Sequence, residues 1–441
     1  MVRKPGGPGC HPFLDFAPMD VPVTPTAAPV VSGRRTRNLF LLWVGQFVSG
    51  TGDSVFSVSV GFFVIYLLGP HSETQVGLTR MMDALPFLLF GAYAGVLVDR
   101  FSRRGAMLLS DIARALIVGA IPLLHFVGWL DWWLLPVVAF ASYGFATLFN
   151  PARDALIPDL AEGANLLRVN SMFQTSQQLA VILGAGLVGI LLAPAIAGER
   201  AGAEGIAWLL VADAGSFLVS FACILLIRTP PKTLAQAGVR PSSLSELRES
   251  LASAWRDARL RSLLFLTAVD NFFIMGPAIV GAMFLIKGTL GLEIWAYGVF
   301  EACLGAGWLV GTLLIARFGR KLRTGRLVIW GMFLDGVTYI PFLWLQTFEA
   351  FLVAIFVHGL SIPLITVGRA TLIQRHYPRE RLGRIFALVA ITVQGFTAFS
   401  ALATGLALQW LEPRELFFWG GLCGALCGML GISFKTLRRT Q

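Results

Sequence analysis

The sequence predicts an all-α integral membrane protein with twelve transmembrane helices in two pseudo-repeated six-helix bundles. Three observations lead to this fold class. The 441 residues are 56% hydrophobic and only 14% charged, whereas an ordinary soluble domain carries about 25% charged residues. Apolar runs of about 20 residues, the length that crosses a bilayer, recur along the chain. The longest polar break, Arg228 to Arg261, leaves six of these runs on each side.

The individual helices are predicted from the apolar runs between charged breaks. The first and fifth runs are longer than a bilayer is thick, so we expect those helices to tilt or to extend into water. The runs lie near residues 38–68, 75–98, 105–128, 132–152, 166–197, 205–227, 262–287, 294–316, 327–346, 350–368, 385–410 and 416–434.

The polar segments divide the chain into five regions. Residues 1–36 are rich in Pro and Gly and lack the apolar core of a signal peptide, which predicts a disordered cytoplasmic tail. In the linker, 229–260, apolar residues from Leu244 to Trp255 share one helical face, which predicts a cytoplasmic amphipathic helix. The two bundles are predicted at 37–228 and 261–435, with a short cytoplasmic tail at 436–441.

The distribution of Lys and Arg predicts the orientation. Nearly all of the 35 cationic residues lie on the side of the membrane that holds both termini. The opposite loops keep only Arg200, Lys287 and Arg414, while Arg80 and Arg114 fall within spans. By the positive-inside rule, both termini are cytoplasmic, and the expected location is the bacterial inner membrane. Loop placement also accounts for the net charge of +10 without a nucleic-acid partner.

Nothing in the sequence predicts an enzyme, a metal site or a cofactor. There is no Gly-rich phosphate loop followed by Lys-Ser/Thr, and the five His and five Cys residues show no ligand spacing. An ion gradient, most simply of protons, is therefore the expected source of energy for transport. The expected partners are a small-molecule substrate and membrane lipids, and a monomer is the simplest assembly.

Ionisable residues inside the spans are the candidate functional residues, because a charge in hydrocarbon is costly. Asp53, Asp83 and Glu301 are predicted to load and release a proton. Asp270, Asn271 and Arg80 complete this candidate substrate or coupling set. The alternative is structural: Arg80 with Asp83, and Asp111 with Arg114, have the spacing of ion pairs within one helix. Asp213, Asp335 and His358 are further ionisable residues of this set; the alternative is that Asp213 and Asp335 lie near span ends and face water and that His358 is a packed residue.

The two halves repeat each other at an offset of about 217 residues. Asp53 corresponds to Asp270, and the charged turn at 99–104 corresponds to Ala316–Lys321. Arg153 with its following residues corresponds to Arg369, and Asp83 corresponds to Glu301. Landmarks in the same order at nearly one offset indicate a duplicated six-helix unit.

The turn between the second and third spans carries the most specific motif. Gly95, Leu97, Asp99, Arg100, Arg103 and Arg104 match Gly-x-Leu-x-Asp-Arg-x-Gly-Arg-Arg/Lys, with Ser102 in place of the inner glycine. With its twelve spans, the chain resembles the major facilitator superfamily over residues 37 to about 435. Two further stretches resemble the branch of bacterial macrolide-efflux and enterobactin-export proteins: Asp111–Arg114 and Asn150–Arg153, the latter continuing through Pro158 to Asn165.

The resemblance implies a secondary transporter that works by alternating access. It implies export of drug-like or siderophore-like organic molecules, in exchange for protons. It also implies that Gly95, Asp99, Arg100, Arg103 and Arg104 form a cytoplasmic gate that latches the halves together. Asp99 is then expected to face the start of the eleventh span, and Arg103 to reach an acid on a neighbouring helix. The alternatives are a carrier of the same fold for a lipid or nutrient, in either direction, and a non-transporting receptor or scaffold.

Overall fold

The computed structural model describes residues 33–69, 71–100, 102–160, 166–193, 202–228, 255–318 and 323–438. Three predictions fall wholly or largely outside these residues: most of the N-terminal tail, most of the amphipathic linker helix and the repeated turn at 319–321. The side chains of 92–100, which include Gly95, Asp99 and Arg100, also lie outside the described part.

The described residues form twelve long helices. Their bounds are α1 Gly33–Leu68, α2 Glu73–Arg100, α3 Arg103–Phe126, α4 Leu134–Leu160, α5 Leu166–Leu191, α6 Ala203–Leu226, α7 Ala258–Gly276, α8 Ile294–Phe318, α9 Thr324–Val337, α10 Phe348–His376, α11 Arg379–Ala407 and α12 Pro413–Ser433. The helix α7 continues through π-helical turns to Thr289, and α9 is followed by a 3₁₀ turn at Ile340–Leu343. A last short helix is formed by Lys435–Arg438.

Two helices run further than the apolar pattern predicts. The apolar run of the fourth span ends near residue 152, yet α4 continues through Pro151 and Pro158 to Leu160. Similarly, α10 passes the charged residue Arg369 and ends at His376. A proline costs a helix one hydrogen bond, but packing within a bundle offsets that loss. The charged ends of α4 and α10 therefore remain helical beyond the apolar segment.

Eleven helical segments within the described residues are long and apolar enough to cross a membrane. The twelfth long helix, α2, has Glu73, Arg80 and Asp83 in its first half, which lowers its mean hydropathy. It still belongs to the bundle, because it packs along α4 and α11. Its polar residues are therefore sheltered by neighbouring helices rather than exposed to lipid.

The helix packing separates the chain into two groups of six. In the N-terminal half, α1 packs on α5 and α6, α3 on α4 and α6, and α2 on α4. In the C-terminal half, α7 packs on α11 and α12, α9 on α10 and α12, and α8 on α10. The two extensive contacts between the halves are α2 with α11 and α5 with α8. We call the end of the bundle that carries the turn between α2 and α3 the α2–α3 end, and the opposite end the α1–α2 end.

Close backbone contacts hold the halves together. A Cβ atom on Gly298 of α8 would lie 2.4 Å from the amide nitrogen of Gly189 on α5. A Cβ atom on Gly77 of α2 would lie 2.8 Å from the carbonyl oxygen of Ala401 on α11. Small residues at such crossings let two helix backbones approach closely. We call the contact surface formed by these four helices (α2 with α11, and α5 with α8) the seam between the halves.

Candidate functional site

The N-terminal half contains a buried charged cluster around Arg114. The guanidinium of Arg114, on α3, pairs with the carboxylate of Asp53 on α1. Its Nε atom donates to the Ser142 hydroxyl at 3.3 Å, and its Cζ atom lies 4.2 Å from the centre of the Phe217 ring. The Arg114 side chain is 5% exposed and that of Asp53 is 33% exposed. Asp53 is thus the accessible member of the cluster.

Two further carboxyl groups, Asp111 on α3 and Asp213 on α6, lie near this pair. Both residues are 1% exposed. The Ser216 hydroxyl donates to Asp213 at 3.3 Å, whereas the other oxygen of Asp213 and both oxygens of Asp111 have no hydrogen-bond partner within hydrogen-bonding geometry in the described structure. Three acids therefore share one guanidinium. A buried carboxylate without compensation is expensive, so this cluster is costly to keep fully charged.

The structure corrects two predictions about this region. The sequence spacing predicts a pair between Asp111 and Arg114, but Arg114 turns towards Asp53 on a different helix. The alternative that Asp213 and Asp335 face water is wrong, because both are buried in the bundle. Helix rotation brings these acids into the bundle, and one-dimensional spacing does not determine rotation.

A second charged group lies at the seam between the halves. Arg80 of α2 donates to Asp83 at 2.9 Å, one helical turn away, and to the Ser57 hydroxyl of α1 at 3.2 Å. Its other terminal nitrogen lies 4.0 Å from the sulfur atom of Met283 in the C-terminal half. The Arg80 side chain is 2% exposed and that of Asp83 is 17% exposed. The predicted sharing of one helix face by Arg80 and Asp83 is confirmed.

Glu301 of α8 faces the same group from the other half. Its carboxyl group interacts with the phenol of Tyr297, one turn earlier, and lies within electrostatic reach of Arg80. Arg80 therefore pairs with an acid of its own half and lies within electrostatic reach of an acid of the opposite half.

The acids of the C-terminal half are arranged differently. Asp270 of α7 is 4% exposed, and one of its oxygens has no hydrogen-bond partner in the described structure. Asn271 donates to the Thr267 carbonyl at 2.8 Å, within its own helix. Asp270 thus occupies the position that corresponds to Asp53 in the repeat. The described side-chain hydrogen bond of Asn271 stays within α7 and does not reach another helix.

Asp335 and His358 form the polar centre of this half. The Nε2 atom of His358 lies 3.7 Å from Asp335, and the Ser361 hydroxyl donates to the same carboxylate at 2.9 Å. The Nδ1 atom of His358 is 2.8 Å from the Thr338 hydroxyl, and the ring stacks on Tyr339 with centroids 4.0 Å apart. His358 is therefore a packed, hydrogen-bonded residue, as predicted.

At the α2–α3 end, the described cations of the motif bind within their own half. Arg103 donates to the Ala155 carbonyl and to Asp159 on α4, both at 2.6 Å. Arg104 donates to the carbonyls of Ile224 and Leu225 at the end of α6. Arg103 thus reaches an acid on a neighbouring helix, as the resemblance implies.

At the α1–α2 end, side chains connect the two halves. Glu293, just before α8, accepts from Tyr66 of α1 and pairs with Lys287. Gln409 donates to the Thr74 hydroxyl at 2.7 Å. Partial burial alone would raise the pKa of Glu293, but hydrogen bonds from Lys287 and Tyr66 outweigh it and hold the pKa below its usual range. We call Tyr66, Lys287 and Glu293 the Glu293 latch.

The side-chain hydrogen bonds between the halves share one location. Within the described residues, they lie at the Glu293 latch, at Gln409 with Thr74, and at the contact between Arg80 and Met283. All of these belong to the part of the bundle nearer the α1–α2 end. These contacts therefore fasten the two halves to each other near the α1–α2 end.

The sequence did not single out several members of these sites. Ser142, Ser361 and Thr338 are common residues whose importance comes only from the charged groups they contact. Tyr66 and Glu293 lie at opposite sides of the linker, and no spacing rule connects them. The only signal for Glu293 was its place beside Lys287, a rare cation on that side of the predicted membrane.

Comparison with known proteins gives the same assignment as the fold and the motif. Residues 42–401 match the model of the Major Facilitator Superfamily. Macrolide efflux protein A of Streptococcus pyogenes is 23% identical over 351 residues, covering 79% of this chain and 84% of that protein. The multidrug efflux pump Tap of Mycolicibacterium fortuitum is 26% identical over 387 residues, covering 84% and 88%.

A solved structure shares the fold. A bacterial homologue of the iron transporter ferroportin, in an inward-facing state, superposes with a TM-score of 0.70 at 16% identity, covering 90% of this chain and 98% of that chain. Together with the family match over most of the sequence, this likeness identifies a multi-pass membrane transporter and not an enzyme. The chain belongs to the Major Facilitator Superfamily.

Proposed function

We propose that this protein exports drug-like or siderophore-like organic molecules across the bacterial inner membrane in exchange for protons. Its two halves rock about a central site near the midplane, with both termini in the cytoplasm. The efflux proteins among its relatives support the direction and the substrate class. The observation that carries the proton coupling is the Arg114 cluster, in which two buried carboxyl groups and the more accessible Asp53 share one permanent cation.

The geometry of that cluster supports a simple coupling cycle. Asp53 is the exposed member, so it is the group through which a proton enters and leaves. When Asp53 is protonated, its pair with Arg114 weakens, and the cation turns to the unpartnered oxygens of Asp111 or Asp213. A change of partner at Arg114 then moves α3 and α6 against α1.

The Arg80 group would transmit that change across the seam. Arg80 has an acid on each side, Asp83 in its own half and Glu301 in the opposite half. Transfer of Arg80 from one acid to the other changes the attraction between the halves. With the α2–α3 end cytoplasmic, contacts that hold the α1–α2 end together would favour opening towards the cytoplasm, the side from which an exporter loads its cargo.

Reconstituted protein tests the proposed coupling. Purified protein in liposomes should move a macrolide faster when a pH gradient is imposed across the membrane. Asp131→Asn, in an exposed turn between α3 and α4, is a matched control and should transport like the unchanged protein. If the transport of every compound that binds, macrolides included, is unaffected by the gradient, the proposed proton coupling is wrong.

A cell-based panel tests the cargo and the competing functions. Overexpression should raise resistance to some members of a set of toxins and siderophores, and deletion should lower it. Accumulation instead of loss of a compound would indicate uptake of a nutrient or lipid. Binding without any transmembrane flux would indicate a receptor or scaffold.

A further inference from the structure

One cavity of the molecule lies away from the sites described above. It has a volume of about 400 Å³ and is lined by Arg323, Arg326, Ile329, Trp330, Ile432 and Arg438. It lies at the α2–α3 end, where α9 begins and α12 ends. The described lining contains three guanidinium groups and no carboxylate.

The charges converge on the cavity from two parts of the chain. Arg323 is the residue immediately before α9, and Arg326 follows one turn later on the same face. Arg438 comes from the short helix that follows α12. Like charges one turn apart repel each other, so an anion between these groups relieves the repulsion. The positive end of the α9 dipole adds to the attraction.

The other side of the cavity is apolar. Trp330 is 50% exposed and Ile432 is 38% exposed, although both belong to helices that are apolar enough to cross a membrane. In an α-helix, Trp330 lies about 6 Å along the axis from Arg326. The cavity thus has a cationic rim at the helix ends and an apolar wall about one turn deeper.

We propose that this cavity binds the headgroup of an anionic phospholipid. The guanidinium groups hold the phosphate diester through paired N–H donors, a geometry that arginine provides and lysine does not. Ile329, Trp330 and Ile432 contact the first part of the acyl chains. A water-soluble phosphate would use the cationic rim but would leave the apolar wall without a function. Basic pockets at the membrane surface are suited to anionic headgroups for the same electrostatic reason.

Lipid titration of the purified full-length chain tests this site. The delipidated protein is titrated with phosphatidylglycerol or phosphatidylcholine, and bound lipid is counted by native mass spectrometry. We expect the triple variant Arg323→Gln/Arg326→Gln/Arg438→Gln to bind phosphatidylglycerol on the order of a hundredfold more weakly, since each arginine that contacts the headgroup contributes about a factor of five. Its binding of phosphatidylcholine should not change.

A matched control separates this site from general surface charge. The variant Arg37→Gln/Arg228→Gln/Arg256→Gln removes three exposed arginines at the same end of the bundle and should bind phosphatidylglycerol like the unchanged protein. Equal loss in both triple variants, or no loss in the first, would overturn the proposal. Equal melting temperatures in detergent show that both variants are folded.

Two further measurements distinguish a lipid from a soluble anion. Glycerol phosphate, which has the headgroup charge but no acyl chains, should not displace phosphatidylglycerol at millimolar concentration. Trp330→Ser should weaken phosphatidylglycerol binding several-fold. Displacement by glycerol phosphate together with an unchanged affinity in Trp330→Ser would assign the cavity to a soluble anion and overturn the lipid assignment. These results do not depend on the cargo or on proton coupling.

Discussion

The first helix of each half carries an acid at the same place in the repeat, but the third helix places a different type of residue beside that acid. In the N-terminal half, α3 provides Arg114, which pairs with Asp53. In the C-terminal half, the third helix is α9, and near Asp270 it provides Asp335, a second acid. In the N-terminal half the acid is therefore paired with an arginine of the third helix. In the C-terminal half Asp270 neighbours a second carboxyl group, and the cation within its electrostatic reach, Arg369, comes from α10.

This difference indicates a division of work between the halves. A proton that binds Asp53 would weaken the contact of Asp53 with Arg114. Protonation can therefore be coupled to helix movement in this half. The C-terminal group is already partnered: Ser361 donates to Asp335, Thr338 contacts Nδ1 of His358, and the ring of Tyr339 stacks on that histidine. We infer that the N-terminal half carries the coupling group and that the C-terminal polar centre holds α9 against α10.

The largest expected effect is that of removing the permanent cation. Arg114→Gln leaves Asp53, Asp111 and Asp213 together without a charge partner. Removing one partner of a buried ion pair costs about 3–5 kcal/mol, and we expect a loss of unfolding free energy in that range. The measurement is denaturant unfolding in detergent.

The double variant Asp53→Asn/Arg114→Gln is the control for this prediction. It removes the pair as a unit, so it should recover much of the loss that Arg114→Gln causes. A loss below about 1 kcal/mol in Arg114→Gln would mean that the pair is not a structural charge pair.

A matched substitution in the two halves sharpens the comparison. Asp53→Asn leaves the guanidinium of Arg114 without its carboxylate, whereas Asp270→Asn replaces an acid to which no described cation is hydrogen-bonded. We expect Asp53→Asn to cost about 2–3 kcal/mol of stability and Asp270→Asn less than about 1 kcal/mol. The same unfolding assay compares the two variants directly. Equal costs would remove the proposed difference between the halves.

The smallest expected effect concerns pH at the Glu293 latch. Because the pKa of Glu293 is lowered in the fastened state, the latch is at full strength above the ordinary carboxyl pKa of 4.5 and weakens as the pH falls through the lowered value. Acidification should therefore increase the separation of the halves at the α1–α2 end. Spin labels at Leu68 and Trp410, which are exposed and lie in opposite halves, would report that distance.

Two variants control this measurement. Glu293→Gln should abolish the pH response, and Glu349→Gln, an exposed acid at the same end, should retain it. A response that persists in Glu293→Gln would place the pH-sensitive group elsewhere.

The sequence was sufficient for the fold and for one of the two predicted ion pairs within a helix. Apolar runs and the repeat offset predicted the helices, and the spacing of three residues predicted the contact between Arg80 and Asp83. The same spacing was misleading for Asp111 and Arg114, because a residue on a helix can face a neighbouring helix instead of its own next turn. Contacts such as Arg114 with Asp53 depend on helix rotation and packing, which apolar periodicity determines only coarsely.

The central claim is that Asp53, and not its counterpart Asp270, couples transport to protons. Two activities of reconstituted protein test it: macrolide accumulation driven by a pH gradient, and macrolide exchange without a gradient. We predict that Asp53→Asn loses gradient-driven accumulation but keeps exchange, that Asp53→Glu keeps both with an altered pH profile, and that Asp270→Asn keeps both. Gradient-driven accumulation that survives in Asp53→Asn, or that is lost in Asp270→Asn with exchange intact, would contradict the claim.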